Sequence, residues 1–180
     1  MGEKLQRSLK YARDNCGFNE VWCITRFDRD DKTLEIYWSE KTVGGATTSA
    51  TLGSDGRRRA YGGHAECMMV RDFARAVQDY GKKPETVEIF LSRSPCLSSP
   101  AFDFDGINFP TGCARKIHKL IQENPCVKLW DIRYDDIYWG NLRNRPNPES
   151  DVLSGSVHGL RILGSLKKVS VHQFNELDVL

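Results

Sequence analysis

Nowhere in these 180 residues does an apolar run approach the roughly 18 positions of a membrane-spanning helix. The opening MGEKLQRSLK lacks the apolar core of a secretory signal. Six cysteines are too few for a disulfide scaffold, so a reducing compartment, cytoplasm or nucleus, is expected. Secretion stays open if a leader was removed, and so does the disulfide state of Cys16, Cys23, Cys67 and Cys126. Neither sign of charge is in excess: 26 basic side chains face 24 acidic ones, a net +2 that excludes a histone-like, tail-driven mode of nucleic-acid binding. Internal repeats and low-complexity tracts are also missing. With 39% hydrophobic and 10% aromatic residues, a chain of this length buries roughly two thirds of its unfolded surface and folds without staples. A single domain over residues 1–180 is expected.

What is present is periodicity. Leu5, Leu9 and Ala12 recur at helical spacing, predicting a short amphipathic helix that ends near Cys16. Residues 21–27 (VWCITRF) and 33–38 (TLEIYW) flank DRDDK and predict an antiparallel hairpin. Lys41 to Gly63 is rich in glycine, serine and threonine and reads as a long loop carrying Arg57, Arg58 and Arg59. Helical spacing resumes from Cys67 to Tyr80, from Cys113 to Ile121 and in HGLRIL, residues 158–163. Strand-like runs fall at TVEIFL (86–91), VKLWDI (127–132) and KVSVHQF (168–174). The order predicts a three-layer α/β fold, a five-stranded mixed sheet flanked by helices.

The residues that carry chemistry are His64, Glu66, Cys96 and Cys113, grouped at the starts of two predicted helices. One imidazole and two thiolates suit a catalytic zinc that keeps its fourth position for water. Helix N-termini favour the thiolate form. Glu66, two residues beyond His64, is placed to move a proton of such a water.

The surrounding text is GGHAEC at 62–67, FLSRSPC at 90–96, GCARKIHKLI at 112–121 and GLRIL at 159–163. It resembles the AID/APOBEC-like branch of the zinc-dependent cytidine deaminases, whose signature pairs HxE with a Pro-Cys and a further Cys. The resemblance covers about residues 20–175 and implies a cytidine deaminase-like fold. It implies His64, Cys96 and Cys113 as ligands of Zn2+, Glu66 as the catalytic proton shuttle, and conversion of cytosine to uracil by water adding at C4. It also places Tyr138 where the family packs a tyrosine on the target base, although Asp136 stands where the family has an arginine. Arg93 replaces a tryptophan. Sixteen residues, 97–112, separate the two cysteines where the family has two to six, so this insert must loop out and return Cys113 to its helix.

The implied substrate is cytosine in a single-stranded polynucleotide, DNA before RNA, with no membrane partner. Candidate contacts are Arg57, Arg58 and Arg59 to phosphate, Tyr138 and Trp139 to bases, and Ala65 and Ser94 beside the metal. A deaminase of free cytidine, deoxycytidine or their nucleotides shares the core, and the net charge of only +2 lends it support. A catalytically silent zinc module that binds nucleic acid is a third reading, but it has no need of Glu66. His118, His158 and His172 read as surface or core polar groups. Cys16, Cys23, Cys67 and Cys126 read as core, and the DFDGIN of 103–108 as an ordinary loop.

Overall fold

A computed structural model of the chain describes residues 2–15, 21–39, 50–52, 58–60, 63–137 and 151–174; residues 50–52, 58–60 and 151–154 are described by backbone alone. Helix α1 (Glu3–Asn15) buries Leu5, Leu9 and Ala12, as the spacing predicts. Its first turn is capped from a distance, because Asp31 Oδ2 accepts the Lys4 and Leu5 amides at 3.1 and 3.3 Å. Strands β1 (Trp22–Phe27) and β2 (Asp30–Trp38) are joined by Asp28 and Arg29, both with positive φ. The second strand therefore begins three residues before the apolar alternation that announces it. Asp28 accepts the left-handed conformation because its carboxylate takes the amides of Glu85 and Thr86, each at 2.8 Å.

The segment expected to be a long loop contains a small ribbon, β3 (Ala50–Leu52) paired antiparallel with β4 (Arg58–Ala60). Helix α2 (Ala65–Tyr80) follows and ends at Gly81, whose φ of 76° gives the left-handed stop. Strand β5 (Thr86–Arg93) leads into a second hairpin, β6 (Phe102–Phe104) and β7 (Ile107–Phe109), turning at Asp105–Gly106. That hairpin corrects the reading of 103–108 as an ordinary loop: an Asp-Gly pair with φ of 48° and 75° is the two-residue turn that such hairpins use. Helix α3 (Cys113–Glu123), β8 (Leu129–Asp136), α4 (Asp151–Gly164) and β9 (Val169–Gln173) complete the chain.

The central sheet has the order β2-β1-β5-β8-β9, antiparallel across β2-β1-β5 and parallel across β5-β8-β9. The α/β class with five mixed strands is the one that the sequence pattern predicts. Helices α2, α3 and α4 cover one face over Val87, Ile89, Leu91, Trp130 and Ile132, while α1 covers the other over Trp22, Ile24 and Phe90. Phe73 of α2 stacks on Trp130 and meets Phe27 edge-on, both at 5.5 Å between centroids. On the α1 side a buried Arg26 is neutralised by Glu88 at 2.7 Å and Asp31 at 2.6 Å.

Cys23 and Cys67 are buried as expected, whereas Cys126 is exposed just before β8 and is not a core residue. All five cysteines among the described residues are free thiols. Cys16 lies outside the described residues. None of the described helices is long and apolar enough to cross a membrane.

Candidate metal centre

Three chain ends converge on one point. Gly63, with φ of 63°, delivers the chain to His64, which is extended and stands immediately before the first turn of α2. Its carbonyl accepts the amides of Cys67 and Met68 at 3.0 and 3.2 Å, so the backbone of His64 is fixed to the helix start. Cys96 lies three residues past the carboxyl end of β5. The Ser94 amide donates to Asp136 O at 2.8 Å, and the Ala114 amide donates to Cys96 O at 3.1 Å, which ties this turn both to β8 and to the start of α3. Cys113 opens α3.

The insert leaves this geometry intact because it is closed at its neck. The Gly112 amide donates to Ser99 O at 2.7 Å, and the Cys113 thiol donates to Ser99 Oγ at 3.2 Å. Residues 100–111 are an excursion that leaves and returns at one place. Gly112 is required there: its φ is 94°, and a Cβ would lie 2.8 Å from Leu97 Cα. Gly112→Ala is expected to destabilise the fold by more than about 1 kcal/mol and to lower any metal content, since Cys113 must move with it. A thermal melt and the metal content of the purified variant check both. From the other side α4 approaches closely, where Gly159 leaves room for Pro95 O, 2.9 Å from where a Cβ would sit.

Donor atoms of His64, Cys96 and Cys113 all lie within 4.8 Å of one another, and His64 Nδ1 is 3.6 Å from Cys96 Sγ. Tetrahedral zinc with sulfur and nitrogen ligands separates such donors by about 3.6 Å. A third sulfur is near: Cys67 Sγ is 3.9 Å from Cys113 Sγ, though outside that set of three donors. Burial lowers the His64 imidazole, but the hydrogen bond to Cys96 and the charge of Glu66 outweigh it and carry the ring up to about 9. The neighbouring Cys113 thiol, with His64, holds the Cys96 thiol well below its ordinary range despite burial. Burial pushes Cys113 itself up.

Glu66 is only 3% exposed, and its Oε2 has no hydrogen-bond partner among the described residues. Burial raises its carboxyl to about 7; the His64 charge opposes the shift and the Cys96 charge adds to it. An unbonded buried carboxylate oxygen beside a soft and borderline donor set fits a zinc ion with a water on its open side.

Of the other candidates, Ala65 is fully buried in the first turn of α2 and Ser94 is buried at the end of β5. Arg58 and Arg59 sit in β4 opposite Leu52 and Thr51, with side chains outside the description; Arg57, Tyr138 and Trp139 lie outside the described residues. His158 and His172 are exposed and His118 is partly buried, all away from the three donors. The sequence reading missed two things. Arg93 and Asp136, which depart separately from the family pattern, sit opposite each other in register and form an ion pair. Lys116 is fully buried, and the helical spacing of 113–121 gave no sign of it.

No family model matches the chain, and no curated protein matches it. Among solved structures it is similar to a dCMP deaminase from the cyanophage S-TIM5 in complex with dCMP and dUMP, at 19% identity and a TM-score of 0.46, covering 97% of this chain and 99% of that one. The apo form of the same enzyme gives 17% identity and a TM-score of 0.44, over 97% and 100% of the two chains.

Proposed function

We propose that this chain is a zinc-dependent hydrolase that deaminates cytosine to uracil. The observation that carries the reading is Glu66, a buried carboxylate with an unbonded oxygen next to three converging donors, His64, Cys96 and Cys113. Zinc held by these donors would supply a Lewis acid that makes water nucleophilic near neutral pH. Glu66 takes a proton from the attacking water and gives it to the departing amino group. A C4–O bond forms, the C4–N bond breaks, and ammonia leaves. Burial raises this carboxyl above its ordinary range, which brings it closer to the pH at which a group both gains and loses a proton at little cost. A purely structural zinc site gives no reason to bury such a group.

For the form of the substrate, the ion pair of Arg93 with Asp136 supports a free cytosine nucleotide or nucleoside ahead of a single-stranded polynucleotide. This arginine stands at the carboxyl end of β5 on the zinc side and is already neutralised, whereas a track for a phosphate backbone needs available cations. The polynucleotide reading stays attached to Arg57, Arg58, Arg59, Tyr138 and Trp139. Cytidine, dCMP and a single-stranded oligonucleotide with one cytosine, offered in parallel at two salt concentrations, separate the readings. The expected result is turnover of the small substrate with little dependence on salt. Preference for the oligonucleotide with a steep loss of activity in salt would reverse the order, and tightly bound zinc without turnover of any substrate would return the silent module.

A further inference from the structure

Lys116 is 0% exposed, and nothing in the proposed chemistry uses it. A buried ammonium is costly unless its hydrogens are satisfied and its charge is balanced. Its Nζ donates to Ser99 Oγ at 2.9 Å and to Ser99 O at 3.2 Å, and it lies 5.4 Å from the centroid of the Phe102 ring in the insert. Ser99 therefore collects four contacts at the neck of the insert: two from Lys116, one from the Gly112 amide and one with the Cys113 sulfur. Lys116 stands three residues after Cys113, one turn along the same face of α3.

Hydrogen-bond directions decide what this arrangement does. An ammonium has donors and no acceptor, so Ser99 Oγ accepts from Lys116, and the hydroxyl hydrogen is left to serve another neighbour. Cys113 Sγ lies 3.2 Å from that oxygen and donates to it while it is a thiol. A zinc-bound cysteine is a thiolate, an acceptor, and the hydroxyl then points its hydrogen at it. We propose that Lys116 and Ser99 are a positioning pair that holds the Cys113 sulfur as a metal donor and pins the insert beside it. The pair supplies what a short link between the two cysteines would otherwise supply, a fixed distance between Cys96 and the start of α3. The inference rests on the zinc reading of the preceding subsection. It concerns the metal and not the substrate.

The test uses the full chain and three variants, Ser99→Ala, Ser99→Thr and Lys116→Met. Zinc affinity is read by competition with a chromophoric chelator, and the cobalt-substituted proteins are read by their thiolate-to-metal absorption. Ser99→Ala is expected to weaken zinc binding by about 10- to 100-fold and to shift the cobalt band, as loss of a partner behind a metal ligand does. Ser99→Thr keeps the hydroxyl and should restore both. Lys116→Met should follow Ser99→Ala; if that variant fails to fold, the two serine variants decide alone. Zinc affinity within about threefold of the parent and an unmoved cobalt band in Ser99→Ala would overturn the pair while leaving the zinc site standing. A parent chain that binds no zinc would overturn the zinc reading itself and the pair with it.

Discussion

Glu66→Gln is expected to keep the metal and the fold and to lower cytosine deamination by about 10³- to 10⁴-fold, the upper range for removal of a positioned general acid–base. The amide matches the carboxylate in shape, so His64, Cys96 and Cys113 keep their positions, but it cannot accept a proton from water. The same substitution should stabilise the zinc-free chain. Glu66 buries an oxygen without a partner, and its carboxyl is raised by burial from an ordinary value of 4.5 to about 7. A folded-state value above the unfolded one means that folding disfavours the charged form. Below pH 4.5 the group is protonated in both states and contributes no penalty. Between pH 4.5 and about 7 the penalty accumulates, and above that it is constant, on the order of 3 kcal/mol. The stability advantage of Glu66→Gln should therefore be small at pH 4.5 and widen to its full size by pH 7.5, read by urea denaturation at the two values. Activity close to that of the parent would remove Glu66 from the mechanism. A stability difference that does not vary with pH would contradict the burial argument.

Such a penalty at a buried carboxylate also shows which parts of this protein a sequence reveals. Signals confined to one turn or strand were legible: Leu5, Leu9 and Ala12 at helical spacing, the alternation of TLEIYW, and the His64–Glu66 offset at a helix start. Features that depend on distant residues were not. Asp31 caps α1 from another strand, and no local text says so. The β6–β7 hairpin carries its own Asp-Gly turn, but with strands of three residues the alternation was too short to register against the flanking Pro100 and Pro110. Lys116 sits among charged neighbours that face water, and only its burial behind Ser99 separates it from them. The return of Cys113 across sixteen residues was required by the chemistry of the site, but the device that achieves it, the Ser99–Gly112 neck, is visible only in three dimensions. Arg93 and Asp136 each looked like a loss; as partners across β5 and β8 they are a single exchange of charge.

Removing the metal, or one of its donors, should have the largest combined effect on activity and stability. His64, Cys96 and Cys113 come from the start of α2, the turn after β5 and the start of α3, so one ion bound by all three would clamp the elements that form the site. Without it the buried sulfurs compete for protons, with Cys96 held low by Cys113 and His64, while burial pushes Cys113 up. A ligand that binds only the folded chain stabilises it by an amount that grows with its concentration over Kd, about 4 kcal/mol at a thousandfold excess. Zinc added to the chelator-treated protein should therefore raise its melting temperature by several degrees. Cys113→Ser should lose most of that rise together with all measurable uracil formation, since a hydroxyl is a poor donor for zinc beside a thiolate and an imidazole. Cys67→Ser, which alters the sulfur next to Cys113 but lies outside the three donors, should keep most of both. If Cys67→Ser abolished the zinc-dependent rise and Cys113→Ser did not, the donor set would have to be redrawn around Cys67. If zinc left the parent's melting temperature unchanged, the clamp would not exist, and the buried Glu66 would need another explanation.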